Sequence, residues 1–83
     1  MVSESCDEVL DATGLMCPQP VLEARRRLAS MAPGALLEIR VDDPLAELDL
    51  QVFCERTGHG FVETHAGPRY RVIVVRRRHA AED

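Results

Sequence analysis

Apolar and polar positions alternate along this chain in two rhythms, and the switches between them divide it into six elements. A short strand is expected over Glu8–Ala12, closed by the turn-forming pair Thr13-Gly14. Val21, Ala24, Leu28 and Met31 then recur at helical spacing, predicting a helix over Pro18–Met31 with Arg25, Arg26 and Arg27 beside or opposite that stripe. Ala32-Pro33-Gly34 stops it. Over Ala35–Val41 the period drops to two: Leu37, Ile39 and Val41 alternate with Glu38 and Arg40, as a strand with one wet face requires. Asp42-Asp43-Pro44 reads as a second helix start, with Asp43 as N-cap and Pro44 in the first turn. The helix it opens is expected over Pro44–Thr57, whole or in two pieces with Asp49 capping the second. Leu45, Leu48, Leu50, Val52 and Phe53 supply its apolar face, and Gly58 is its stop. Strands over Phe61–His65 and Arg69–Val75 flank Ala66-Gly67-Pro68, a hairpin turn. The order is βαβαββ. Right-handed crossovers place both helices on one face of a four-stranded mixed sheet, an α/β two-layer sandwich. Residues 8–78 form the domain, with residues 1–7 and 79–83 as tails.

The start of the first helix holds the candidate chemistry. Cys17 precedes Pro18, and the proline ring keeps a preceding residue out of the helical region, which is the backbone an N-cap residue needs. Pro18 is then the first helical residue. With Pro20 also in the first turn, the amides free to point back at the sulfur are those of Gln19 and Val21. They lie at the positive end of the helix dipole, so the Cys17 thiol is expected to have a lowered pKa and nucleophilic character. No general base is identifiable nearby in sequence.

Composition narrows the function classes. Eighty-three residues make one small domain with few spare residues. No apolar run approaches the ~20 residues of a membrane span. Met1–Glu8 is polar and acidic with no secretory pattern, so a cytoplasmic location is expected. Cys6, Cys17 and Cys54 form neither an even disulfide set nor a Cys-x-x-Cys pair, and His59, His65 and His79 stand at no metal-ligand spacing to them. Free thiols, no metal and no cofactor follow. Cys54, after Phe53 in the second helix, reads as a core residue; Cys6 lies in the tail; His59 reads as a helix-end charge when protonated. All ten basic residues are arginine, which excludes a lysine nucleophile. The net charge of −4 hides segregation: residues 17–34 sum to +2 and residues 65–83 to +3. The clusters Arg25-Arg26-Arg27 and Arg76-Arg77-Arg78 read as a solvated face and a charged tail or, if the first helix lies beside the last strand, as one patch for an acidic partner protein or RNA phosphates, with Arg25, Arg26, Arg76 and Arg77 as its docking residues. Net acidity and an aromatic content of 4 % argue against direct nucleic-acid binding.

Asp11-Ala12-Thr13-Gly14-Leu15-Met16-Cys17-Pro18-Gln19-Pro20 resembles the signature of the TusA/SirA-like sulfur carrier proteins, and the resemblance continues through Asp42-Asp43-Pro44, Phe53-Cys54, Gly58-His59 and Tyr70-Arg71. Met16 stands where many members carry arginine, and Leu50-Gln51 where many carry Ile-Pro. The resemblance implies a two-layer sandwich similar to the C-terminal domain of bacterial translation initiation factor three. It also implies sulfurtransferase activity of the carrier kind: a persulfide on Cys17, supported by the helix start Pro18, Gln19, Pro20 and Val21. A cysteine desulfurase or rhodanese-type protein would be the donor. Relay proteins serving tRNA thiolation, molybdenum cofactor synthesis or sulfur oxidation would be acceptors, and the free carrier is expected to be monomeric. Two other readings stand beside this one. The chain could be a non-catalytic regulatory or RNA/protein-interaction module using the arginine patch, or a disulfide-exchange thiol, though no resolving cysteine lies near Cys17 in sequence.

Overall fold

The computed structural model describes residues 6–79. In chain order the elements are β1 (Glu8–Asp11), α1 (Gln19–Ala29), β2 (Leu36–Val41), α2 (Ala46–Thr57), β3 (Gly60–Ala66) and β4 (Arg71–Arg76). The expected βαβαββ order holds. The sheet order is β1-β2-β4-β3, with β1 parallel to β2 and the β2–β4 and β4–β3 pairs antiparallel. Both helices pack on one face, where Leu37, Ile39 and Val41 of β2 and Ile73 and Val75 of β4 meet Ala24 and Leu28 of α1 and Ala46, Leu50 and Cys54 of α2.

Boundaries moved for local reasons. Residues 1–5 and 80–83, within the expected tails, lie outside the described residues, whereas Asp7 is tied to the sheet. Its N–H donates to the Leu36 carbonyl at 2.8 Å, and its carboxylate accepts the Leu36 N–H at 2.8 Å. Helix α1 starts at Gln19 and ends two residues before Met31, because the N–H groups of Ser30 and Met31 turn back to the carbonyls of Arg27 and Leu28. Helix α2 is one piece and starts at Ala46. Asp43 forms a turn ahead of it, its carboxylate accepting the Leu45 N–H at 3.0 Å and its carbonyl the Ala46 N–H at 3.0 Å. Gly58, in the left-handed region at φ +87°, closes α2 as expected. In β3 the register shifts between Phe61 and Glu63, a bulge that the alternation did not signal.

Two expectations about faces need correction. Glu38 is only 3 % exposed although it lies on the helix-free face. It sits on a central strand between Val9 and Val74, with Arg40 closing over it at 2.9 Å. On α2, Leu45 and Leu48 are each 58 % exposed, and the buried line is Ala46, Leu50 and Cys54. A helix lying on a sheet buries one stripe, and residues four apart share it. Leu45, Leu48 and Val52 form a second apolar stripe that the core does not need. Leu50→Ala should therefore cost about 2–5 kcal/mol in urea denaturation, the range for emptying a packed leucine site. Leu48→Ala should change stability by no more than ~0.5 kcal/mol, as exposed positions do.

Candidate functional site

The loop from β1 to α1 is held in place by acids, first within itself and then from the β2–α2 turn. Asp11 accepts hydrogen bonds from the N–H of Thr13 at 3.1 Å and from its hydroxyl at 2.6 Å, starting the turn. Gly14 follows at φ +84°, a conformation that side-chain-bearing residues rarely adopt. Its N–H donates to both carboxylate oxygens of Asp42, at 2.9 and 3.1 Å. Three residues on, the N–H of Cys17 donates to Asp43 at 2.7 Å. Asp42 and Asp43, adjacent at the end of β2, thus fix both ends of the Gly14–Cys17 segment. They leave the Cys17 thiol exposed, directed at α2.

There the thiol donates a hydrogen bond to the carboxylate of Asp49. This contact overturns the expected electrostatics. The Gln19 N–H donates to the Met16 carbonyl at 2.7 Å and the Val21 N–H to the Pro18 carbonyl at 3.1 Å, so neither amide faces the sulfur. Carbonyl oxygens outcompete sulfur, a weak acceptor. Pro18, joined to Cys17 by a cis peptide bond, takes the flanking position that Cys17 was expected to hold. The Cys17 pKa is raised: the hydrogen bond to Asp49 contributes most, then burial, then the negative charges of Asp49 and Asp43. Asp43 moves the other way, its carboxyl held below the usual range by the N–H donors of Leu45 and Cys17.

Cys17 opens onto a groove of about 440 Å³ between the helices, lined by Pro18 and Val21 of the α1 start and by Leu48, Asp49, Val52, Phe53 and Arg56 of α2. Met16, next to Cys17 in the chain, is 72 % exposed. The surplus stripe of α2 therefore forms one wall of the thiol's surroundings. Of the expected supporting residues, Pro18 and Val21 line the groove, Pro20 is buried with Ala24 and Leu28 of α1, and Gln19 closes the turn through its backbone.

Phe53 also lines a second groove of about 260 Å³, with Arg25, Ala29, Thr57, His59, Arg77 and Arg78. The first helix and the last strand do bring arginines together here, but Arg26 and Arg76 do not line this groove. Arg26 pairs with Glu23 at 3.5 Å and Arg76 donates to the Gly34 carbonyl at 3.1 Å. Arg77 has a structural task, its Nε donating at 2.8 Å to the Leu28 carbonyl in the last turn of α1. His59 is not the helix-end cation expected. Its Nδ1 accepts the Arg78 N–H at 3.0 Å, and burial, then Arg78 and Arg77, lower its pKa.

Cys54 lies in the core, where burial raises its thiol to about 11. Cys6 is half-buried, its pKa raised by burial first and then by the charges of Glu38, Asp7 and Glu63. It precedes β1 while Cys17 follows it, so the strand separates the two thiols. Among the described residues no group of histidine, cysteine and acidic side chains is arranged to hold a metal, and no helix is long and apolar enough to cross a membrane.

Against this geometry, residues 8–77 match the family model described as Sulfurtransferase TusA. The chain belongs to the TusA family. It is 42 % identical over 62 residues to a protein of Pseudomonas aeruginosa named Sulfur carrier protein TusA, covering 75 % of this chain and 78 % of that one. A putative sulfur carrier protein of Neisseria meningitidis is 46 % identical over 52 residues, covering 63 % of this chain and 70 % of its own length. The crystal structure of a SirA-like protein from Desulfitobacterium hafniense has the same fold, with a TM-score of 0.76, 25 % identity, and coverage of 86 % of this chain and 97 % of that one. The TusA assignment brings a general sulfur-transfer role with it.

Sequence reasoning missed Asp49 as a partner of the thiol. An acid near a helix start is common because the dipole favours it there, so its presence between Leu48 and Leu50 carried no distinct signal. Two measurements check the site. Iodoacetamide alkylation of Cys17 in the native protein should follow a pH midpoint above the ~8.5 of a free thiol, and Cys54 should stay unlabelled until the protein unfolds. Cys54 is raised from 9.0 to about 11, so unfolding releases its proton once the pH passes the unfolded value. Its contribution to stability is full below about pH 9 and lost as the pH rises through about 11. Urea midpoints should fall across that window, and less so in Cys54→Ala.

Proposed function

We propose that this TusA-family protein carries sulfane sulfur as a persulfide on Cys17, taking it from a donor protein and passing it to an acceptor in a sulfur relay. The observation that supports this best is the placement of the one exposed thiol among the described residues, on a clamped loop at the mouth of an apolar groove. A carrier needs its sulfur accessible from outside, because thiol exchange depends on access and on the attacking thiolate. It also needs a surface on which unlike partners can dock in turn. Met16, Leu48 and Val52 provide exposed apolar area around the thiol.

The transfer conserves atoms and electrons. Cys17 Sγ bonds to the terminal sulfur of the donor's persulfide, the donor's S–S bond breaks, and its electron pair leaves on the donor thiolate, which takes up the Cys17 proton. Cys17 then holds the persulfide, and the acceptor's thiol repeats the exchange. Nothing is oxidised or reduced overall, so no cofactor is called for. The donor is a cysteine desulfurase or rhodanese-type protein, and the acceptor is a relay protein of tRNA thiolation, molybdenum cofactor synthesis or sulfur oxidation. The carrier works as a monomer in the cytoplasm, where thiols stay reduced. Arg25 and Arg77 steer an acidic partner onto the groove beside Phe53, whereas Arg26 and Arg76 contribute only to the surrounding positive field.

Incubated with a cysteine desulfurase and cysteine, the protein should gain the mass of one sulfur atom on Cys17, removable by reductant. Cys17→Ser should abolish the adduct, while Cys6→Ser and Cys54→Ser keep it. Failure of several donors to load Cys17, or loading that persists in Cys17→Ser, overturns the reading. Arg25→Gln should slow loading at low salt and flatten its salt dependence, since charges at the edge of an interface act mainly on association. Equal rates across salt would leave Arg25 as plain solvated surface.

A further inference from the structure

A thiol that must attack another sulfur is, in the free protein, bonded to an anion. Asp49 lies in the first turn of α2, where the helix dipole favours an acid, and its carboxylate is turned to the thiol. Its backbone N–H is bonded to the Leu45 carbonyl at 3.1 Å, and its carboxylate faces across the groove to the Cys17 thiol. Among the described residues neither Asp43 nor Asp49 enters an ion pair. The charged groups facing Cys17 are those two carboxylates, with Arg56 farther along the α2 wall; the α1 side offers only Pro18 and Val21. Asp43 is anchored by two backbone N–H groups. Among the described residues the Asp49 carboxylate is hydrogen-bonded to the thiol alone, so it is the carboxylate that can be drawn away.

We propose that Asp49 is a positioning residue that keeps the proton on Cys17 while the carrier is alone, and that a positively charged side chain of the docking partner releases it. A cation laid against Asp49 neutralises the carboxylate and takes the place of the thiol as its partner. The thiolate then costs less to form, and Sγ attacks. The exposed apolar side chains of Met16, Leu48 and Val52 strengthen the switch, because excluding water at a docked interface lowers the screening between the cation and the carboxylate. The consequence for a carrier is selectivity: an idle Cys17 resists stray oxidants and electrophiles, and it reacts where a partner supplies the matching charge.

This rests on the reading of Cys17 as the sulfur acceptor, but its test needs no sulfur transfer. In Cys6→Ser protein, Cys17 is labelled with a cationic and with an anionic methanethiosulfonate, each rate being normalised to free cysteine. The cationic reagent should be favoured roughly five- to tenfold at low salt, and the preference should fade as salt screens it. In Asp49→Asn the preference should shrink, the pH midpoint of iodoacetamide alkylation should fall, and the rate at neutral pH should rise several-fold. Asp49→Glu should restore part of the effect. An unchanged midpoint and charge preference in folded Asp49→Asn overturns the proposal. If that variant does not fold, the salt series on Cys6→Ser protein decides alone: absence of a salt-sensitive cation preference overturns it. A charge gate that holds in a protein that no donor loads would refute the carrier reading and leave the gate standing.

Discussion

The structure depends on two adjacent carboxylates at the end of β2. Asp42 holds Gly14 and Asp43 holds Cys17 through backbone N–H groups, so a loop far away in sequence is fixed to the strand that β1 pairs with. The loop's own geometry permits this, because Gly14 takes the left-handed conformation that turns the next residues toward α2. Bonds from N–H to a carboxylate are stronger than those between neutral groups. The clamp also holds the Asp43 carboxyl below its usual range, and its charge adds to the larger effect of Asp49 on the nearby thiol.

That field reverses the usual account of a reactive cysteine at a helix start. The dipole argument requires free amides aimed at the sulfur, and here the first-turn amides close on carbonyls while the thiol turns to Asp49. Exposure and activation therefore come apart: Cys17 is accessible, yet its pKa is raised and not lowered. A carrier passes its cargo only in complexes, and restraint in the free state is consistent with that use.

The helix layer serves the site as much as the core. Ala46, Leu50 and Cys54 seat α2 on the sheet, so Leu45, Leu48 and Val52 remain outside, and Leu48 and Val52 line the groove with the thiol. Phe53, packed partly against the core, joins this surface to the arginine-lined groove beyond it. The part of this stripe that lines the groove is the apolar area on which the proposed docking rests.

The order of elements, the two-layer class, the buried stripe of α1, the turn at Gly14 and the prominence of Cys17 were all legible in the sequence. Each follows from local rules: period, proline and glycine geometry, and the spacing of one helix face. What the sequence left ambiguous was which of two apolar stripes on α2 faces inward, since Leu45, Leu48 and Val52 are as periodic as Ala46, Leu50 and Cys54. The burial of Glu38 was equally hidden, because it comes from Val9 and Val74 on neighbouring strands and from Arg40 closing over it. The Cys17 pKa was misjudged for the same reason. Its determinants, Asp43 and Asp49, lie 26 and 32 residues away, and only the folded chain brings the β2–α2 turn and α2 to Cys17. Local geometry puts Cys17 at a helix start; the long-range contacts of the folded chain orient its thiol and set the direction of its pKa shift.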